Sequence, residues 1–339
     1  MKDNKNINNK KKLKLGIQLL RIFFSFHILV FHCINHEKYK SKYIQFIINK
    51  VDIDLCTFFI ISFYLSYNLF TSKNIIKIKH RFKRLLIPYI VWPIIFFITC
   101  INKISIDKIK YLFYQLLIGN GIHSVFWFQF NIIFISLIFS IIIFLSKKRF
   151  FFYLFLIGII CYLFVIYSNN TNFFSKFNYI VVFPLRPIAS SFIYSLMGFF
   201  LFLIKIEKLK LKKYKIKTIF ICLLFLSLYP YYKRKFENDS YFLMIINSLG
   251  SISLLIPFLI VPFEKLNNSL LIRVFTILAT YSGGIYYLHT KVQYYLDSLS
   301  EKMKSRTILV CIINYILCNC ICLIGLKLFR NSNIIYLFI

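Results

Sequence analysis

Long hydrophobic runs alternate with short polar segments along the whole of this 339-residue chain. Ten runs approach or exceed the ~20 residues that an α-helix needs to cross the ~30 Å hydrocarbon core of a bilayer. They occupy residues 15–34, 52–71, 85–101, 124–145, 150–168, 188–206, 218–232, 241–263, 272–296 and 307–328. The pattern therefore predicts an all-α polytopic membrane protein, built as a bundle of about ten transmembrane helices.

The polar segments between these runs are too short to fold as separate domains. We expect a basic N-terminal tail over residues 1–14, one transmembrane domain over 15–328 and a short C-terminal tail over 329–339. The first run has span length and no small-residue cleavage site after it, so we expect it to stay in the membrane as the first span.

Composition agrees with a membrane protein, since 59% of the residues are hydrophobic and 16% are charged. The net charge of +32 comes from lysine and arginine in the segments between runs, where such residues set topology and contact anionic lipid head groups. We therefore do not expect nucleic-acid binding. With a cytoplasmic N-terminus, the inner segments carry 26 basic residues and the outer ones 16. This bias predicts both termini in the cytoplasm and a multi-pass protein of the cytoplasmic membrane.

All nine cysteines lie in or beside hydrophobic runs. Cys318, Cys320 and Cys322 alternate, and alternation on a helix spreads side chains around the axis, so the three cannot converge on one metal ion. We interpret the cysteines as small buried apolar residues and expect no metal site.

The first run carries Arg21 in its middle and His32 near its end. A guanidinium in a membrane span costs at least ~3 kcal/mol on insertion scales. Eleven residues at ~100° each return to the same helix face, which Ser25 also shares. This arrangement indicates proton chemistry or anion binding at membrane depth. The alternative for His32 is an interfacial histidine that faces lipid head groups.

Asp54 begins the second run, at the predicted depth of His32. A carboxylate beside an imidazole fixes the tautomer of the ring and raises its basicity, as a general base requires. Asp54 is therefore a candidate catalytic partner of His32. The alternative is a hydrated residue at the membrane surface.

Two arginines, Arg81 and Arg84, end a basic segment before the third run. Residues three apart are neighbours on one helix face, and two guanidiniums at that spacing can grip a phosphate. The alternative is a basic anchor that binds lipid phosphate.

Four further residues at or near membrane depth are candidate substrate-binding groups, and for the segment 282–289 the alternative is packing and contact with the interface. They are Trp127, Arg186, Tyr286 and His289. Gly283 and Gly284 precede the last two, and paired glycines allow close helix approach or a local break.

Several segments together resemble the acyltransferase-3 family of integral-membrane O-acyltransferases. The resemblance rests on Arg21 and His32 with ten residues between them, and on the Arg81-x-x-Arg84 motif. Three further segments add to it: 85–89 with Trp92, 126–128, and 282–289. One position departs from the family, because Phe63 follows Ser62 where the family usually has glycine. That change leaves open altered packing, a diverged substrate or a weakened activity.

The resemblance implies an enzyme, an acyltransferase for groups other than amino-acyl groups. Such an enzyme moves an acyl group, often acetyl, from cytoplasmic acyl-CoA to a hydroxyl of a surface polysaccharide or a lipid-linked sugar. Acyl-CoA would be a donor substrate rather than a bound cofactor, and it suits Arg81 and Arg84 because CoA is polyanionic. His32 would deprotonate the hydroxyl or relay the acyl group, and Arg21 would stabilise negative charge.

The implied partners are membrane lipid, acyl-CoA and a sugar or polysaccharide acceptor. Two other functions fit the same residues. A bundle with a central arginine and histidine would also serve an exporter of a glycan or a lipid-linked sugar. The chain would equally serve as a non-catalytic membrane partner in glycan assembly.

Overall fold

The computed structural model describes residues 2–33, 51–100, 106–117, 126–146, 149–170, 179–204, 215–236, 239–261, 270–299 and 308–337. Over these ranges the chain forms twelve α-helices and no strand. They are α1 (Lys2–Cys33), α2 (Val51–Thr71), α3 (Ile75–Cys100), α4 (Ile106–Leu117), α5 (Phe126–Leu145), α6 (Phe150–Asn170), α7 (Tyr179–Ile204), α8 (Lys215–Lys235), α9 (Ser240–Ile260), α10 (Leu270–Thr280), α11 (Ser282–Leu299) and α12 (Ile308–Leu328). A short 3₁₀ turn follows at Asn333–Leu337.

Eight of the described helices are long and apolar enough to cross a membrane. Their exposed sides are hydrophobic, as in α6, where Phe152, Ile160 and Leu163 are all more than half exposed. A soluble protein does not expose such a face, and lipid tails solvate it. The prediction of an all-α polytopic membrane protein is confirmed. The orientation of the termini remains a prediction from the charge bias.

Among the described side chains of α2, an apolar stretch runs from Leu55 to Thr71. The ninth predicted span differs from a simple long apolar helix. The ninth run forms two helices, because α10 ends at Thr280 and α11 begins at Ser282. The interruption at Tyr281 lies two residues before Gly283 and Gly284, which hold the helical conformation less strongly than other residues. The chain therefore does not form a single continuous helix over 272–296.

Helix contacts divide the chain into two units. The first contains residues 1–58, 205–234 and 247–339, and within it α1 packs against α10, α11 and α12. The second contains residues 59–204 and 235–246, and within it α5 packs against α3, α6 and α7. Boundaries fall inside α2 and α9 and before the last residue of α8, so these helices belong partly to each unit.

Cysteines line the buried face of α12 in the first unit. Cys311, Cys318 and Cys322 are buried free thiols, whereas Cys320 is exposed. The prediction of small buried residues holds for the first three and is wrong for Cys320, because an alternating position on a helix points away from its neighbours.

Aromatic side chains form the core of the second unit. Phe139 of α5 is fully buried, and its ring centre lies 4.8 Å from that of Phe63, 5.5 Å from Phe192 and 5.3 Å from Phe199. Aromatic pairs at these separations add stability beyond the area they bury. Phe63 thus fills a central position where the family usually has glycine.

The closest helix approach in this core that involves a described glycine is at Gly198 of α7. A Cβ added there would overlap the backbone of Ile60 in α2, with the carbonyl carbon at 2.8 Å and the Cα at 2.9 Å. Backbone atoms cannot rotate away, so α7 and α2 require a residue without a side chain at this position.

We predict that Gly198→Ala lowers the free energy of unfolding by about 1–3 kcal/mol, the usual cost of overpacking a core. Gly158→Ala in α6 is the matched control, because its added Cβ would meet only the Cδ2 end of the Leu196 side chain at 2.5 Å. That side chain can change rotamer. Thermal unfolding of both variants in the same detergent measures the difference, and equal losses would contradict the close approach at Ile60.

Candidate active site

Two histidines meet in the first unit. His32 lies in the last turn of α1 and is half-buried, whereas His289 lies in α11 and is 1% exposed. Their ring centres are 5.2 Å apart and the ring planes are inclined by 38°. The packing of α1 against α11 brings the two rings together. Sequence reasoning found both residues but not their pairing, because they lie at opposite ends of the chain.

The surroundings of His289 determine which of its nitrogens carries hydrogen. Its Nδ1 lies 3.1 Å from the carbonyl oxygen of Ile285, one turn earlier in α11. A carbonyl only accepts hydrogen bonds, so Nδ1 is the donor and the lone pair of the neutral ring is on Nε2. That Nε2 atom is buried and has no hydrogen-bond partner in the described part of the chain.

Asn314 of α12 ties α11 in place at His289. Its Nδ2 donates to the main-chain oxygen of His289 at 2.9 Å and to Oε1 of Gln293 at 3.3 Å. Gln293 in turn donates to Oδ1 of Asp297 at 2.7 Å. Sequence reasoning missed Asn314, although a fully buried amide in a largely apolar helix is a usable signal.

Arg21 and His32 share the continuous helix α1, and both are half-buried. A continuous helix places them on one face, about 16 Å apart along the axis. Ser25, on the same face, is buried and donates to the carbonyl oxygen of Ile22 at 2.8 Å. Tyr286 belongs to this neighbourhood as well, because its ring centre is 6.2 Å from that of His289.

A second polar cluster surrounds Arg81 of α3, in the second unit. Its Nη1 donates to Oγ of Ser66 at 2.5 Å, its Nη2 to Oγ of Ser62 at 3.0 Å, and its Nε to Oγ of Ser136 at 3.2 Å. Ser62 and Ser66 are in α2 and Ser136 is in α5, so one guanidinium connects three helices. These partners are neutral, and in the described part of the chain no carboxylate forms an ion pair with Arg81.

Aromatic rings complete the surroundings of Arg81. Its guanidinium carbon lies 5.4 Å from the ring centre of Phe63 and 5.5 Å from that of Phe70. Cation–π contacts at such distances are favourable when the cation is desolvated. The residue that departs from the family pattern therefore contacts the first arginine of the Arg-x-x-Arg motif.

Arg84, one turn further along α3, is exposed. The two predicted phosphate-binding arginines thus have different surroundings, since one is enclosed by hydroxyls and rings and the other is open. A shared grip on phosphate stays a prediction.

The remaining candidates are more scattered. Trp127 in α5 is half-buried beside Phe128, with ring centres 6.1 Å apart, and Arg186 in α7 is exposed. The side chain of Asp54 lies outside the described residues, so its partnership with His32 stays a prediction. Over the described ranges, no three histidine, cysteine, aspartate or glutamate side chains come close enough to hold a metal ion.

The described part of the chain has eight helices that can cross a membrane, so the protein is a multi-pass membrane protein. Polar sites lie inside its helical units, namely the histidine pair and the arginine bound by serines. The sequence model of the acyltransferase-3 family, an acyltransferase domain, matches residues 14–326. The chain therefore belongs to that family and is a membrane acyltransferase. No curated protein and no solved structure matches it significantly.

We predict that Arg81→Ala destabilises the protein by about 2 kcal/mol or more, because each hydrogen bond to a charged group contributes about 1.5–3 kcal/mol. Arg84→Ala is the matched control on the same helix, and its cost should stay within about 0.5 kcal/mol, as for other exposed positions. Arg81→Lys should fall between them, since one ammonium cannot reproduce the planar fork. Thermal unfolding at equal lipid content measures all three. Similar behaviour of Arg81→Ala and Arg84→Ala would show that the three-serine cluster contributes little stability.

Proposed function

We propose that this membrane acyltransferase transfers an acyl group, typically acetyl, from acyl-CoA to a hydroxyl of a surface polysaccharide or a lipid-linked sugar. The observation that carries the proposal is the histidine pair in the first unit of a family acyltransferase domain. Attack of a hydroxyl on a thioester needs a group that accepts a proton or carries the acyl group, and imidazole does either near neutral pH. We place the enzyme in the cytoplasmic membrane, where acyl-CoA and glycan precursors meet.

His32 is the residue we assign to the reacting acyl group. It ends α1 and is half-buried, so a substrate can reach its ring while the helices around it exclude bulk water. Arg21 lies about 16 Å earlier on the same face. A CoA arm that enters from the cytoplasm would pass Arg21 and present its thioester near His32. The arginine would then stabilise negative charge on CoA or on the developing oxyanion.

Arg81 and Arg84 supply positive charge suited to the phosphates of CoA. Arg84 is exposed and can meet phosphate directly, whereas Arg81 carries a charge that the neutral serines around it do not cancel. Acyl-CoA acts as a donor substrate in this proposal, with no resident cofactor. Tyr286 and His289 in the first unit are candidate contacts for the acceptor, and so, separately, are Trp127 and Arg186 in the second unit. Asp54 would orient His32.

We predict that His32→Ala reduces acyl transfer by about 10²–10⁴-fold, the usual cost of losing an acid–base group, at unchanged membrane abundance. The control is His27→Ala in the same helix, because His27 is buried against the ring of Phe23, 5.7 Å between centres, away from the Arg21 face. Mass spectrometry of surface glycans from cells with each variant measures the product. Unchanged glycan acylation in His32→Ala would reject the assignment, and glycan export lost without any change in acyl-CoA turnover would favour an exporter.

For Arg21, we expect Arg21→Lys to retain part of the activity and Arg21→Leu to lose nearly all of it. Lysine keeps the charge but not the planar fork, and leucine removes the charge while remaining stable in lipid. Acyl transfer at matched membrane abundance measures the series. A fully active Arg21→Leu would show that the arginine does not take part in transfer.

A further inference from the structure

Four buried side-chain polar atoms lack a hydrogen-bond partner among the described residues, and the Nε2 atom of His289 is the one that belongs to a titratable imidazole. It is buried, it has no hydrogen-bond partner among the described residues, and it belongs to a side chain that is 1% exposed. A buried acceptor without a hydrogen-bond partner destabilises the folded protein. The chain positions this ring firmly all the same, because Nδ1 donates to Ile285 and Asn314 holds the main-chain oxygen of His289. A fixed ring with one open acceptor is suited to receive a proton.

The ring beside that of His289 is the imidazole of His32, and the two ring centres are 5.2 Å apart. A hydroxyl that approaches a group on one ring therefore also comes close to the other ring. The two rings differ in access, since His32 is half-buried and His289 is enclosed. A bulky thioester can therefore reach only the more open ring, and the enclosed ring can serve only a smaller group such as a proton.

We propose that His289 is the general base of acyl transfer and that His32 carries the acyl group. This inference rests on the function proposed above. It makes His289 a catalytic residue rather than only a contact for the sugar.

Acyl transfer then takes place in two covalent steps and a final proton transfer. A lone-pair nitrogen of His32 attacks the thioester carbonyl, the carbon–sulfur bond breaks, and CoA leaves as a thiolate, so that His32 holds the acyl group as an acyl-imidazolium. The acceptor hydroxyl then attacks the acyl carbon while Nε2 of His289 takes its proton. The carbon–nitrogen bond to His32 breaks, which leaves an ester and a neutral His32. The proton on His289 passes to the CoA thiolate, and the products are the ester and CoA thiol.

The test separates the two steps with the full-length protein and acetyl-CoA. Release of CoA without acceptor is followed chromatographically, and transfer to native glycan is followed in membrane vesicles from the source cells. We expect wild type and His289→Gln each to release one CoA per protein molecule in a first burst. Transfer by His289→Gln should fall about 10²–10⁴-fold with the KM for acetyl-CoA unchanged. His32→Ala should lose both the burst and the transfer.

Two controls make the result specific to proton transfer. His27→Gln changes another buried histidine and should behave as wild type. Added imidazole should restore part of the transfer by His289→Ala, where the missing ring leaves space, and should do nothing for His32→Leu. Wild-type transfer by His289→Gln, loss of its burst together with its transfer, or no response to imidazole would each overturn the role of His289. Transfer by wild type without a burst would overturn the role of His32 as carrier.

If a variant does not accumulate in the membrane, a second measurement on the wild-type protein still tests the proposal. ¹⁵N NMR of wild-type protein should show His289 with hydrogen on Nδ1, and hydrogen on Nε2 would overturn the proposal. Failure of wild type to transfer acetyl to any glycan is a different result, because it would reject the proposed function itself.

Discussion

Polar side chains at membrane depth must find hydrogen-bond partners within the protein, because lipid offers none. Helical hydroxyls meet this requirement locally, as when Ser140 donates to the carbonyl of Ser136 and Ser195 to that of Ser191, both at 2.8 Å. Larger polar groups need partners from other helices. Asn131 of α5, for example, donates to Ser191 of α7 at 3.1 Å. Such bonds fix the rotation of each helix about its axis, which apolar contacts with lipid cannot do.

Arg81 and His289 differ in how far they meet this need for hydrogen-bond partners within the protein. The guanidinium of Arg81 donates from all three nitrogens to serines of two other helices and lies against two phenylalanine rings. Its charge is retained while each of its three nitrogens has a hydrogen-bond partner, so it contributes both helix packing and a local positive field. His289 is held just as firmly through Ile285 and Asn314, yet its Nε2 lacks a partner in the described residues. An acceptor kept open at this energetic cost is typical of a reacting group.

Phe63 shows how a departure from a family pattern can be absorbed by packing. The residue is fully buried, its ring is tilted against that of Phe139, and it lies beneath the guanidinium of Arg81. A glycine there would offer Arg81 no ring. The substitution therefore couples the aromatic core of the second unit to its arginine cluster, and it changes the surroundings of the Arg-x-x-Arg motif without removing either arginine.

Hydrophobic run length and the cost of charge in lipid were sufficient to predict the helical membrane fold, the helix that carries Arg21 and His32, and the arginine pair before the third run. These features depend on the spacing of residues along the chain, which can be read directly from the sequence. The pairing of His32 with His289, the three serines around Arg81 and the support from Asn314 depend instead on which helices become neighbours. Which distant helices become neighbours is decided by packing and hydrogen bonding in three dimensions. The periodic pattern of residues along one helix does not predict its neighbours. The interruption at Tyr281 depends on both the sequence and the tertiary structure. Gly283 and Gly284 permit a break, but only the packing of α10 and α11 against α1 decides that it forms.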